Sequence, residues 1–106
     1  MDAPSTLTRT EVDATQGPLV LEFGAGWCGI CRAAQPLIAD ARNAHREVRY
    51  VKIEDGPGKP LGRSFGVKLW PTLVFLRDGR EVARLVRPHS ADPVWQAFEQ
   101  ITERES

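Results

Sequence analysis

The sequence predicts a single-domain α/β sandwich on three observations. Short apolar runs alternate with helical patterns along the chain. The first apolar run passes directly into the first long helical pattern. The 106 residues contain no internal repeat and no dividing linker, and a chain of that length supports one core. One domain over 1–106 is therefore expected, with 1–17 the least patterned part.

The elements follow in order. Residues 1–17 are polar and weakly patterned. "PLVLEFGAG" (18–26) is an apolar run suited to a strand buried on both faces, interrupted by Glu22. "CRAAQPLIADARNAHRE" (31–47) reads as a helix with Leu37, Ile38, Ala41 and Ala44 on one face. Pro36 lies inside it and is expected to kink it. "VRYVKIED" (48–55) alternates as a strand. "GPGKPLGRSFG" (56–66) is turn-rich and holds at most a short helix. "PTLVFLRDGREVARLVR" (71–87) is a hairpin turning at Asp78-Gly79. "DPVWQAFEQITERE" (92–105) is a final amphipathic helix with Val94, Phe98 and Ile101 on one face and Pro93 in its first turn. The first long helix then connects two parallel strands.

Composition excludes several functions. Lysine plus arginine equals aspartate plus glutamate at 14 each, so no charge excess points to nucleic acid or to an anionic membrane. No apolar run approaches the length of a membrane span, which is about 18 residues or more. The N-terminus lacks the basic and apolar pattern of a secretory signal, so a cytoplasmic location is expected.

The chemistry centres on "WCGIC" at 27–31, which holds both cysteines of the chain. A bridge across so small a loop adds almost nothing to stability, so a reactive or metal-binding pair is the better reading. A disulfide needs Cα atoms about 4.4–6.8 Å apart, which residues i and i+3 satisfy on a helix but not on a strand. The strand-to-helix junction supplies that geometry. It also sets Cys28 at a helix N-terminus, where free N–H groups and the macrodipole favour a thiolate. Cys31, one turn deeper, is expected to be the more shielded. Cys28 is then the attacking thiol and Cys31 the resolving one. A zinc site is not expected, because structural zinc takes four ligands and His45 lies about 20 Å along the helix from Cys31. His45 and His89 are read as solvated surface residues, and Trp95 as core or half-buried packing.

"LEFGAGWCGIC" with Pro36, "LWPT" at 69–72 and "RDGREVARLV" resembles the thioredoxin family over roughly 18–103. The resemblance implies a thioredoxin fold, a central mixed sheet flanked by helices. It implies dithiol–disulfide exchange on protein substrates as part of cell redox homeostasis, with a reductase or other dithiol as electron donor and no cofactor. A monomer is expected. By the family motif, Cys28 and Cys31 match the nucleophile and the resolving thiol. Trp27 matches the tryptophan beside the site, and Pro71 the cis-proline facing the disulfide. Glu22 stands where a buried aspartate is common, and Lys52 where a lysine often lies near that acid. Desolvated on its strand, Glu22 is a candidate proton acceptor for Cys31, with an ion pair to Lys52 as its other reading.

The departures from the pattern are specific. Gly29-Ile30 replaces the common Gly-Pro. The acid is one methylene longer. Trp70 stands where a smaller aliphatic residue is usual, and is expected to form a wall with Trp27 and Ile30 that holds substrates by burial rather than charge. The backbone groups of Trp70 are expected to face the incoming peptide. "RPHS" (87–90) replaces a glycine that lets substrate approach. The segment before the first main strand is short, so the N-terminal strand and helix are expected to be truncated. A second function class stays open, a binding module or redox sensor on the same fold without turnover.

Overall fold

Leu19, Val20, Leu21 and Phe23 are buried, as an apolar strand with sheet on both sides must be. They lie on β1 (Pro18–Gly24), in a four-stranded sheet of order β2-β1-β3-β4. The computed structural model describes residues 7–103. Residues 1–6 of the N-terminal segment, and positions 104–105 of the expected last helix, lie outside the described residues.

The elements are α1 (Arg9–Ala14), β1, α2 (Gly29–Ala44), β2 (Arg49–Glu54), α3 (Pro60–Ser64), β3 (Thr72–Arg77), β4 (Arg80–Val86) and α4 (Ala91–Thr102). β1 pairs parallel with β2 through the α2 crossover and antiparallel with β3, and β3 pairs antiparallel with β4. The sheet is therefore mixed. Asp78 and Gly79 take positive φ values of 53° and 78°, the backbone of a two-residue hairpin turn. No strand precedes β1 among the described residues.

Period-2 alternation along β1 sends neighbouring side chains into two cores. Val20 meets Ile38 and Ala41 of α2 and Phe98 and Ile101 of α4 on one face. Leu19, Leu21 and Phe23 meet Val12 of α1 and Leu61 and Phe65 around α3 on the other. The buried stripe of α2 is Cys31, Ala34, Ile38 and Ala41. Ala44, expected on that face, is exposed and Leu37 is only half-buried. The stripe has this phase because the helix begins at Gly29, with Cys28 as its N-cap, and turns Cys31 inward.

Three further expectations change. The N-terminal segment holds a helix, closed by a reciprocal capping box between Thr8 and Glu11. α2 ends at Ala44 because the His45 side chain turns back, with Nδ1 2.7 Å from the Ala41 carbonyl oxygen. The His45 ring stacks on Phe98 at 5.2 Å and meets Trp95 edge-on, so it is half-buried packing and not a solvated residue.

Candidate active site

The site forms where β1 hands the chain to α2. Cys28 has extended backbone angles as the N-cap, and its Sγ accepts the Cys31 N–H at 3.1 Å. A sulfur in that position meets an otherwise unpaired helix donor and the positive end of the helix dipole. Gly24 makes room for its partner, since a Cβ at Gly24 would come within 2.9 Å of Cys31 Sγ. Phe23 pairs with Thr72, so the antiparallel register carried one step further sets Pro71 opposite Gly24. The Trp70–Pro71 peptide is cis.

Both cysteines are free thiols and both are 7% exposed. By exposed area the two are alike, so Cys28 is not the more exposed as expected, but Cys31 is the more deeply packed of the two, as expected. The N-cap conformation folds the Cys28 sulfur back over the first turn, where it accepts the Cys31 N–H. What separates them is depth of packing together with electrostatics. Burial acts to raise the Cys28 pKa, but hydrogen bonds from Cys31 and the Ile30 amide, together with the charge of Arg87, outweigh it and lower the pKa. Burial pushes the Cys31 thiol up to about 11, helped by its hydrogen bond to Cys28 and by the negative charges of Cys28 and Glu22.

Glu22 is buried on β1 and fully engaged. Gln35 Nε2 donates to its Oε2 at 2.9 Å and also to the Cys31 carbonyl at 2.9 Å, bridging the acid to the resolving cysteine's backbone. The Tyr50 hydroxyl donates to Glu22 Oε1. Burial, with the Glu22 charge and that hydrogen bond, pushes the Tyr50 phenol pKa far up, so Tyr50 remains a donor. Lys52 is the register neighbour of Glu22, but it is exposed on the edge strand and forms no ion pair with it among the described residues. The expected ion pair between Glu22 and Lys52 is thus not formed. An edge position lets the ammonium stay in water, while Tyr50, two residues earlier on the same face, reaches inward.

Around the thiols, Trp27 is 76% exposed, Ile30 46% and Leu69 47%. Trp27 and Trp70 meet edge to face at 5.4 Å. Trp70 is half-buried, and its indole N–H donates to Asp55 Oδ2 at 2.9 Å. Gly29 opens α2 with nothing near its missing Cβ. The Trp70 carbonyl does not simply face outward as expected, because Arg87 Nε donates to it at 2.9 Å. Sequence reasoning missed Gln35, Tyr50, Asp55 and Arg87. Gln35 was findable as the residue one turn after Cys31, and Tyr50 by alternation from Lys52. Among the described residues no group of three or more His, Cys, Asp or Glu is placed to hold a metal ion.

The family model described as Thioredoxin matches residues 5–100. The chain is 36% identical over 72 residues to Thioredoxin H-type 1 of Nicotiana tabacum, a match covering 68% of this chain and 57% of that protein. The chain thus spans little more than half the length of that curated relative. Among solved structures it is similar to thioredoxin 2 from Pseudomonas aeruginosa PAO1 in its reduced form, with 56% identity, a TM-score of 0.83, and coverage of 94% of this chain and 93% of that one. It is also similar to a chain in a structure on the thiol resolving mechanism of yeast mitochondrial 1-Cys peroxiredoxin via glutathione/thioredoxin systems. That likeness has 25% identity, a TM-score of 0.67, and covers 87% and 83% of the two chains.

Proposed function

Because this chain belongs to the thioredoxin family, we propose that it is a thiol–disulfide oxidoreductase that reduces protein disulfides through Cys28 and Cys31. The observation that carries this reading is the opposed tuning of two thiols on one helical turn, Cys28 lowered and Cys31 raised to about 11. One sulfur is the more readily ionised and so the better nucleophile, and the other keeps its proton until needed.

The Cys28 thiolate attacks one sulfur of the substrate disulfide. A bond forms between them, and the second substrate sulfur leaves as a thiolate that takes a proton from water. That step changes Cys31. After burial, its pKa is held up by the hydrogen bond and charge of Cys28. Both are lost once the Cys28 sulfur is in a mixed disulfide, so Cys31 becomes easier to deprotonate. Its thiolate then attacks Cys28 Sγ, the Cys28–Cys31 disulfide forms, and the first substrate sulfur leaves. Two electrons and, after protonation, two protons have passed to the substrate. Glu22 is the proton acceptor in this reading, held by Gln35 and Tyr50 beside the resolving cysteine.

An external dithiol restores the reduced pair, and a reductase is the proposed donor. Exposed Trp27, Ile30 and Leu69 offer an apolar face for the substrate chain. The protein acts as a monomer in this proposal. Insulin reduction with dithiothreitol tests it. Catalytic amounts of the protein accelerate precipitation of the insulin B chain, and Cys28→Ser abolishes the effect. No acceleration by the unaltered protein would return the binding-module reading.

A further inference from the structure

Arg87 sits just past the end of β4, with φ of 49°, a left-handed conformation that residues other than glycine seldom adopt. Both halves of the residue hold the segment before β3. Its backbone N–H donates to the Pro71 carbonyl at 2.9 Å, and its Nε donates to the Trp70 carbonyl at 2.9 Å. One lone pair of Trp70, expected to face an incoming peptide, is therefore taken from within the chain.

The same bond fixes the guanidinium beside the site. Neither Nη group has a hydrogen-bond or ion-pair partner among the described residues. A guanidinium tethered at Nε with both Nη groups free presents a planar fork matched to a carboxylate. The charge around the Trp70 side chain is mainly of the same sign. Lys59, Arg63 and Lys68 line a cavity of about 250 Å³ with Trp70 and Asp55, and none of the three is ion-paired among the described residues. Of the nearby acids, Asp55 accepts from the Trp70 indole, and Glu54 lies across the site beside Gly26. A chain of zero net charge thus gathers three cations and one carboxylate around a cavity that Trp70 also lines, a local positive excess.

We propose that Arg87 determines substrate specificity, its free Nη groups pairing with a carboxylate beside the target disulfide so that acidic disulfide segments are favoured over neutral and basic ones. This rests on the oxidoreductase reading above. It replaces recognition by burial alone with an apolar face plus one charged fork. Arg87 also acts on the nucleophile. Burial works to raise the Cys28 pKa, and the Arg87 charge is among the influences that bring it down.

The test uses three disulfide peptides that differ only in Glu, Gln or Lys beside the cysteine. The second-order rate constant for reduction by the full, reduced protein is divided by that for dithiothreitol, which removes differences in peptide reactivity. The expected order is Glu, Gln, Lys, with about 10-fold between the extremes at low salt and a smaller spread in about 0.5 M salt. Arg87→Gln slows all three peptides and brings them to within about 2-fold of one another. Arg87→Lys keeps the order with a reduced spread, because the charge survives and the fork does not. Equal rates for the three peptides with the unaltered protein overturn this proposal alone, without requiring any variant to fold. An unchanged ranking in Arg87→Gln also overturns it. Failure to reduce any of the three overturns the oxidoreductase reading as well.

Discussion

Cys28 and Cys31 share one helical turn and the same slight exposure, so accessibility cannot order their reactivity. The order comes from how deeply each sulfur is packed, together with charge and hydrogen bonding. At about pH 7 iodoacetamide is expected to modify Cys28 first, with a pH profile centred below that of an ordinary thiol of about 8.5. Cys31 is expected to follow only as the pH approaches its pKa of about 11. Peptide mapping after timed alkylation reads this directly, and equal labelling of the two would contradict the tuning. Glu22→Gln separates two roles of the acid. Burial is the largest influence raising the Cys31 pKa, but the Glu22 charge adds to it. Removing that charge shifts the Cys31 profile to lower pH. If Glu22 also accepts the proton, the mixed disulfide lives longer at neutral pH despite the more acidic thiol. Rapid-quench trapping measures that lifetime, and an unchanged one removes Glu22 from the proton path.

Among the elements, the junction of β1 and α2 was legible because its signals are local. An apolar run, glycines and a three-residue cysteine spacing all lie within 18–31. α1 was missed because six residues with one buried side chain, Val12, give no periodicity to read. Its signature was the Thr8-x-x-Glu11 capping box, a local pattern that went unread. Thr8→Ala should cost about 1 kcal/mol by loss of that cap, measured by urea unfolding. α1 also touches the hairpin, since a Cβ at Gly79 would come within 2.0 Å of the Asp13 carbonyl oxygen. Gly79 has φ of 78° as well. Gly79→Ala should therefore cost about 2–4 kcal/mol, well above the Thr8 variant, and a smaller loss would mean that α1 can move off the turn. The partners of Glu22 were not legible for a different reason. Tyr50 and Gln35 reach it through strand register and helix phase, and no local pattern fixes either. Lys52 was one alternation step from the residue that makes the contact, but on an edge strand an ammonium gains more from water than from a buried acid.

Across the whole molecule the thiols link stability to pH. Cys28 has a lowered folded-state pKa, so its contribution is present above the unfolded value of about 8.5 and is lost as pH falls through the folded one. Cys31 has the opposite sign. Its folded pKa is raised to about 11. Its contribution is present below about pH 8.5 and is lost as pH rises toward the folded value. Tyr50 behaves like Cys31 above about pH 10. The reduced protein should thus lose stability between about pH 8.5 and 11, and Cys31→Ala should show a shallower loss over the same range. Urea midpoints of both proteins at matched pH check the difference, and parallel curves would contradict the raised Cys31 pKa.

The roles of the two sulfurs can be read most directly by intact-mass spectrometry of single-cysteine variants mixed with an oxidised peptide. Cys31→Ser should accumulate one mixed disulfide through Cys28 that dithiothreitol releases, because no resolving thiol remains. Cys28→Ser should form little or none at about pH 7, its remaining thiol being protonated. An adduct on Cys28→Ser together with an unmodified Cys31→Ser would reverse the assignment of nucleophile and resolving thiol.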